Sequence, residues 1–329
     1  VWAAAAATIV LALGVGWGAA QRDTGRDQAR PAASRTARST EVVEATDALV
    51  TPASTPRVVS GAVAPRRLLH AAVTGRVPYS PSFDPRTQGL VFHTGLERTA
   101  LLEAALSDDG QVTAVRTLRD DGARAFHVQV SPDGTQLAFD SDVDGTRGVY
   151  VARRDGSAPE RVSGDGVASV PTWSPDGETL AFARAEPDRP RVWNVWTVHL
   201  PTGQMRRETR HRIGQAWGAS WFPDGRRLAY SVEDRLVVLD RDTGRLRTWK
   251  SPVPGRLVRT PAVSPDGRRI VFQVHRDGAW VLDLVRATSS RVLADRSAQE
   301  FAWAPDGTRV AYHSVRGGSW GIWLMHVGP

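Results

Sequence analysis

The hydrophobic pattern divides the chain at about residue 65. Beyond that point short apolar runs recur in one fixed order: an aromatic or aliphatic residue, a Ser-Pro-Asp-Gly turn, then a strand ending in Phe or Tyr. The runs read PSFDPRTQGLVF (81–92), VQVSPDGTQLAF (128–139), PTWSPDGETLAF (171–182), ASWFPDGRRLAY (219–230), PAVSPDGRRIVF (261–272) and FAWAPDGTRVAY (301–312). Period-two alternation broken by Pro and Gly predicts β-hairpins. Pro presets φ at the start of each turn, Gly supplies a positive φ at its end, and Asp bonds the backbone just ahead. The six prolines, Pro85 to Pro305, stand about 44 residues apart. That period fits a four-stranded propeller blade.

A second pair of strands follows each hairpin, as in GVYVARRDGSAPERVS (148–163) and RLVVLDRDTGRLRTW (235–249). The sixth repeat stops after its third strand, at WGIWLMHVGP (320–329), and PRRLLHAAV (65–73) resembles a fourth. The expected fold is therefore all-β, a six-bladed β-propeller of four-stranded blades over 65–329, closed by that N-terminal strand. Phe83, Trp173, Trp221 and Trp303, each two residues before its proline, are expected to fill the space between blades.

Residues 1–20, VWAAAAATIVLALGVGWGAA, carry no charge. At about 1.5 Å per helical residue they span roughly 30 Å, a bilayer core. The segment reads as a transmembrane anchor, or alternatively as a secretory signal cleaved after Gly18-Ala19-Ala20. Arg22, Arg26, Arg30, Arg35 and Arg38 follow it, a flank that the positive-inside rule assigns to the cytoplasm unless the other flank is more basic. Residues 21–64, polar and rich in Ala, Thr, Ser, Arg and Pro, read as a flexible linker.

These repeats resemble the TolB-type (WD40-like) propeller repeat, with Ser-Pro-Asp-Gly, an aliphatic-Ala-Phe strand and an aromatic-aliphatic third strand. The resemblance implies an extracytoplasmic interaction platform. Segment 21–64 is too short and too polar to be the α/β domain that precedes the propeller in TolB itself. The same repeats occur beside hydrolase domains, and behind a membrane span in bacterial signalling proteins. A chain beginning at Val1 with such a span fits the sensor part of a larger kinase or winged-helix regulator.

Composition narrows the chemistry. The chain has no cysteine, which excludes disulfides, Cys-based zinc sites and thiol nucleophiles. Its formal charge is +7, carried almost wholly by scattered arginine, so nucleic acid is not an expected partner. Histidine spacing suggests no metal, and no cofactor is expected. His93 and His313 each follow the aromatic that ends a second strand, and closure would make them neighbours. Gly317-Gly318-Ser319-Trp320-Gly321 matches G-x-S-x-G but lies where a hairpin is expected. Asp140 to Gly145 begins like a calcium loop and reads as a turn.

The columns that vary between repeats enter each blade six and five residues before the proline. They supply Tyr79, Phe126, His127, Trp217 and Arg259, types favoured in binding hot spots, and with them Glu300, as a candidate channel rim. The expected function is a non-catalytic, monomeric propeller binding a protein or peptide in the periplasm or cell envelope, tethered by residues 1–20 to the inner membrane or secreted after cleavage. The alternative is a secreted enzyme or carbohydrate-binding propeller with a channel site. Clustered carboxylates and histidines at the channel would favour that alternative.

Overall fold

The computed structural model describes residues 64–328. The segment read as anchor or signal (1–20) and all but the last residue of the linker (21–64) lie outside these. Among the described residues no helix is long and apolar enough to cross a membrane.

Six four-stranded antiparallel sheets follow one another as blades. Their first strands are Pro78–Phe83, Ala125–Val130, Ala168–Trp173, Trp217–Trp221, Val258–Val263 and Gln299–Trp303. Each first strand touches that of the next blade, and Pro78–Phe83 touches Gln299–Trp303, so these strands ring a central channel. In five blades the four strands pair in chain order. The sixth sheet takes the order Arg66–His70, Gly321–His326, Arg309–Ser314, Gln299–Trp303. Arg66 lies opposite Leu324 and His70 opposite Gly321. The strand is shorter than segment 65–73, because Ala71–Thr74 form one helical turn ended by Gly75 at φ 74°.

The repeated turn works through its serine as much as its proline. In the second blade the Ser131 amide donates to the Gln136 carbonyl at 3.0 Å, and the Gln136 amide donates to Ser131 Oγ at 2.9 Å. Asp133 accepts the Thr135 amide at 3.1 Å, and Gly134 takes φ 77°. Ser174 and Ser264 repeat the serine bond, each at 2.9 Å. The first blade departs: Asp84 accepts the Arg86 amide at 2.8 Å, and Gln88 takes the left-handed position.

The core lies between blades. Each cluster of buried apolar side chains joins two consecutive sheets, as where Phe222, Leu236 and Trp249 meet Ile270, Phe272 and Trp280. Phe83, Trp173, Trp221 and Trp303 are all buried, as their column predicted. Two of the tryptophans also tie their blade to the preceding one. Trp221 Nε1 donates to the Thr172 carbonyl at 3.2 Å, and Trp303 Nε1 to the Ala262 carbonyl at 2.9 Å. The Arg241 and Arg269 guanidiniums cover these two rings at 4.8 and 4.9 Å.

Trp303 separates packing from polarity. Trp303→Ala should cost about 3–5 kcal/mol by leaving a cavity, and Trp303→Phe should cost less, with about 1 kcal/mol from the lost hydrogen bond. Urea unfolding measures both; an alanine variant as stable as the wild type would remove this residue from the core.

Candidate functional site

The channel mouth is built by one irregularity repeated in every blade. Each first strand loses register near its start, between Tyr79 and Ser82 in the first blade and between Gln299 and Ala302 in the sixth. The residue that opens each bulge has positive φ: Ser80 49°, His127 49°, Val170 57°, Gly218 64°, Thr260 44° and Glu300 55°. Only Gly218 takes this conformation without strain. For β-branched Val170 and Thr260 it is a true outlier, costing on the order of 1–3 kcal/mol. Proline follows three of these residues, at Pro81, Pro171 and Pro261, where the bulge needs no ladder donor. All six left-handed residues line the channel cavity, whose volume is about 100 Å³.

The cross-strand partners of the column before the bulge are His93, Asp140, Ala183, Ser231, Gln273 and His313. Some of these side chains reach the next blade and catch the amide that its bulge frees. His313 Nδ1 accepts the Ser80 amide at 3.1 Å, and Asp140 Oδ1 accepts the Val170 amide at 3.1 Å. The polar column therefore has a structural duty before any functional one.

Blades six, one and two bring these groups into one cluster. His127 Nδ1 lies 2.7 Å from Asp140 Oδ1, and its Nε2 lies 3.5 Å from Glu300 Oε1. Ser80 Oγ donates to Glu300 Oε2, and the same oxygen stands 3.4 Å from His313 Nδ1. Tyr79 sits between His93 and His313, each at 5.6 Å between ring centroids, and Trp320 packs on both Tyr79 and His313. Arg147 completes the charge balance, 3.4 Å from Asp140 and 4.3 Å above the Phe126 ring.

The electrostatics follow from burial and these partners. Burial opposes charge on His127, but Asp140 and Glu300 outweigh it and raise the imidazole to about 10. Burial, reinforced by repulsion from His127, drives His93 down to about 3. Burial also pushes His313 below the ordinary histidine value, and the Ser80 amide occupies its Nδ1, so His127 is the ring that carries charge. Burial works against ionisation of Glu300 as well, yet the charged His127 imidazole and the Ser80 hydroxyl hold its carboxyl below the usual range. Among the described residues no set of three or more His, Cys, Asp or Glu is arranged to hold a metal ion.

Of the rim residues read from sequence, Tyr79 and Phe126 are buried, at 8 % and 6 % exposure, and serve as walls of the cluster. His127 and Glu300 belong to the same cluster and keep some exposure. Trp217 and Arg259 stand apart on blades four and five, half-buried, with Trp217 packed edge-on to Trp193 at 5.2 Å. Sequence reasoning missed Asp140, grouping it with the turn that follows, and took His93 and His313 as a lone pair. The signal was there: all three directly follow the aromatic closing a second strand, at Phe92, Phe139 and Tyr312. Ser319 forms no nucleophile elbow, since Arg316–Gly318 is a 3-10 turn leading into a strand, and Ser319 Oγ accepts Arg67 at 2.7 Å.

Set beside solved structures, this architecture matches TolB from Acinetobacter baumannii with TM-score 0.59 and 19 % identity, over 77 % of this chain and 64 % of that one. It matches equally a protein assigned as TolB from Agrobacterium tumefaciens, with TM-score 0.59 and 18 % identity, over 77 % and 91 % of the two chains. The fold is a TolB-like β-propeller. No protein-family model matches the chain. In sequence the TolB-like propeller is 28 % identical to a TolB homologue of Chlorobium luteolum over 122 residues, 36 % of this chain and 27 % of that protein. It is 29 % identical over 154 residues to the uncharacterized peptidase YuxL of Bacillus subtilis, 44 % and 21 % of the two chains. It is 32 % identical over 129 residues to the lasso peptide isopeptidase AtxE2 of Asticcacaulis excentricus, 38 % and 18 %. The chain spans less than half the length of the curated relatives it matches.

Two of these relatives carry peptidase names, which corrects the expectation of a non-catalytic protein. That expectation rested on finding no catalytic set in the repeats, and these repeats also stand in proteins named as enzymes.

The buried ion pair has a pH signature. A histidine whose folded pKa lies above 6.5 adds stability that is complete below 6.5 and is lost as pH rises through about 10. Histidine NMR should therefore show His127 charged through neutrality and titrating near 10, with His93 neutral down to about 3. A His127 midpoint near 6.5 would remove the ion pair.

Proposed function

We propose that this propeller holds a protein or peptide partner at the mouth of its channel, in the cell envelope outside the cytoplasm. The observation that carries the reading is the ring of left-handed residues around a cavity of only about 100 Å³. Small-molecule sites usually run to roughly 300–1,000 Å³. A volume of this size admits one side chain or a few waters, so a ligand recognised here makes most of its contacts at the rim and inserts little. Backbone strain stored at five of the six blades along one ring also supports a recognition role, since strain of that kind collects at ligand clamps. Tyr79, Phe126, His127 and Glu300 form one side of the mouth on this reading, and Trp217 and Arg259 the other.

Residues 1–20 act here as a membrane anchor, or as a signal, and 21–64 as the tether that lets the propeller reach its partner. Strand Arg66–His70 acts as the clasp of the ring, because it supplies the fourth strand of the sixth blade while Leu69 fills the core between blades six and one.

One observation favours a second reading. Three histidines and two carboxylates converge beside the channel, as a catalytic or carbohydrate-binding channel site would require. Their mutual pairing weighs against it, because His127, Asp140, Glu300 and Arg147 already neutralise one another.

Two experiments test these assignments. In capture from envelope extracts, Trp217→Ala with Arg259→Ala should abolish retention of the partner while the thermal transition stays put. Undiminished capture clears the rim, and a loss seen with Glu300→Gln instead favours the channel site. Deleting residues 65–73 should lower the melting temperature sharply; an unchanged transition would reject the clasp.

A further inference from the structure

Among the described residues, Arg259 has neither a carboxylate in ion-pair range nor a side-chain hydrogen bond. Its Nε is buried and unbonded, while the residue as a whole remains half-buried at the channel mouth. Burial lowers its pKa, and Glu233 offsets this only from a distance. A guanidinium with one nitrogen buried and unbonded and its two terminal nitrogens left open at the mouth is set to receive an acceptor, and a planar donor fork matches a carboxylate best.

The surroundings point the same way. Trp217 holds the same column on the preceding blade, and one residue further on the two first strands touch, since a side chain at Gly218 would meet Thr260 Cα at 3.0 Å. Around them the connections of blades three to five that face this mouth carry Arg189, Arg191, Arg210, Arg212, Arg256 and Arg276. All six are exposed and form no ion pair among the described residues. Among the described residues the acids without an ion pair in these connections are Asp165, Asp188, Glu233 and Asp295, four against the six arginines, and the Ser297 and Ser314 hydroxyls already occupy Asp295. Ile213, 78 % exposed, stands among these arginines. On the opposite half of the same face charges cancel locally, as Arg76 with Asp120 and Arg124 with Asp142.

We infer that the partner presents an acidic peptide segment, one carboxylate of which Arg259 takes in bidentate fashion beside Trp217, while the outer arginines draw the segment in. This inference rests on the channel-mouth reading above. A flat anionic membrane satisfies the outer arginines but not the half-buried guanidinium, which favours a chain that can enter the mouth. Unpaired arginines on one arc also give long-range steering that weakens with salt.

The test uses a fluorescein-labelled decapeptide of alternating glutamate and glycine, its glutamine counterpart, and phosphatidylglycerol vesicles. Fluorescence anisotropy with the whole chain should show the glutamate peptide bound about tenfold or more tightly than the glutamine one, and less tightly in high salt. Arg259→Gln and Arg259→Lys should each lose about tenfold in affinity, because lysine keeps the charge but not the fork. Arg268→Gln, the same charge change on an exposed turn of the opposite face, should bind as the wild type does. Equal binding of the two peptides, or full affinity in both Arg259 variants, would overturn the inference, as would binding to vesicles alone. A partner still captured through Trp217 but indifferent to Arg259 would remove the carboxylate and leave the channel-mouth reading standing.

Discussion

A four-stranded blade of this chain has two apolar faces, and among the described residues neighbouring blades are what cover them. Each must be buried by a neighbouring blade, so the stable arrangement is a closed ring with an apolar layer at every interface. The repeated tryptophans act in that constraint. They fill the interface by volume, and at Trp221 and Trp303 they also bond the preceding blade's backbone. The arginines over their outer faces seal the layer where it meets water.

Closing the ring brings six first strands around one axis, and there a second constraint takes over. Regular strands would run straight through the channel with every amide committed to the ladder. The bulge in each strand breaks that commitment and turns one residue per blade toward the cavity. The freed amides need acceptors, which come from the neighbouring blade in the cases of His313 and Asp140. The charged cluster beside the channel is thus tied to backbone geometry, which is why a charge-paired network sits where a ligand is expected.

The two halves of the mouth differ in consequence. Blades six, one and two meet as a self-neutralised set of rings and ion pairs, with Tyr79 and Phe126 buried inside it. Blades four and five leave Trp217 and Arg259 less enclosed and without charged partners among the described residues. Reading the varied columns as one uniform rim concealed this difference. Column position says which residues enter the mouth, but not whether they are consumed by one another.

The sequence by itself determined the blade count, the strand order within blades and the residues that fill the interfaces. All of these follow from local rules repeated six times: Pro and Gly at set turn positions, period-two alternation, and one large aromatic per unit. It also marked the entry columns, because what varies against a repeated scaffold stands out. The tertiary structure alone decided how those columns meet. Asp140 reaches His127 within its own blade, while Glu300 comes to His127 and Ser80 from residues far away in the chain. No spacing rule encodes such contacts, since they arise only when the first and last blades become neighbours. The bulge, too, was invisible: Val170 and Thr260 are poor residues for positive φ, and only the packed ring holds them there.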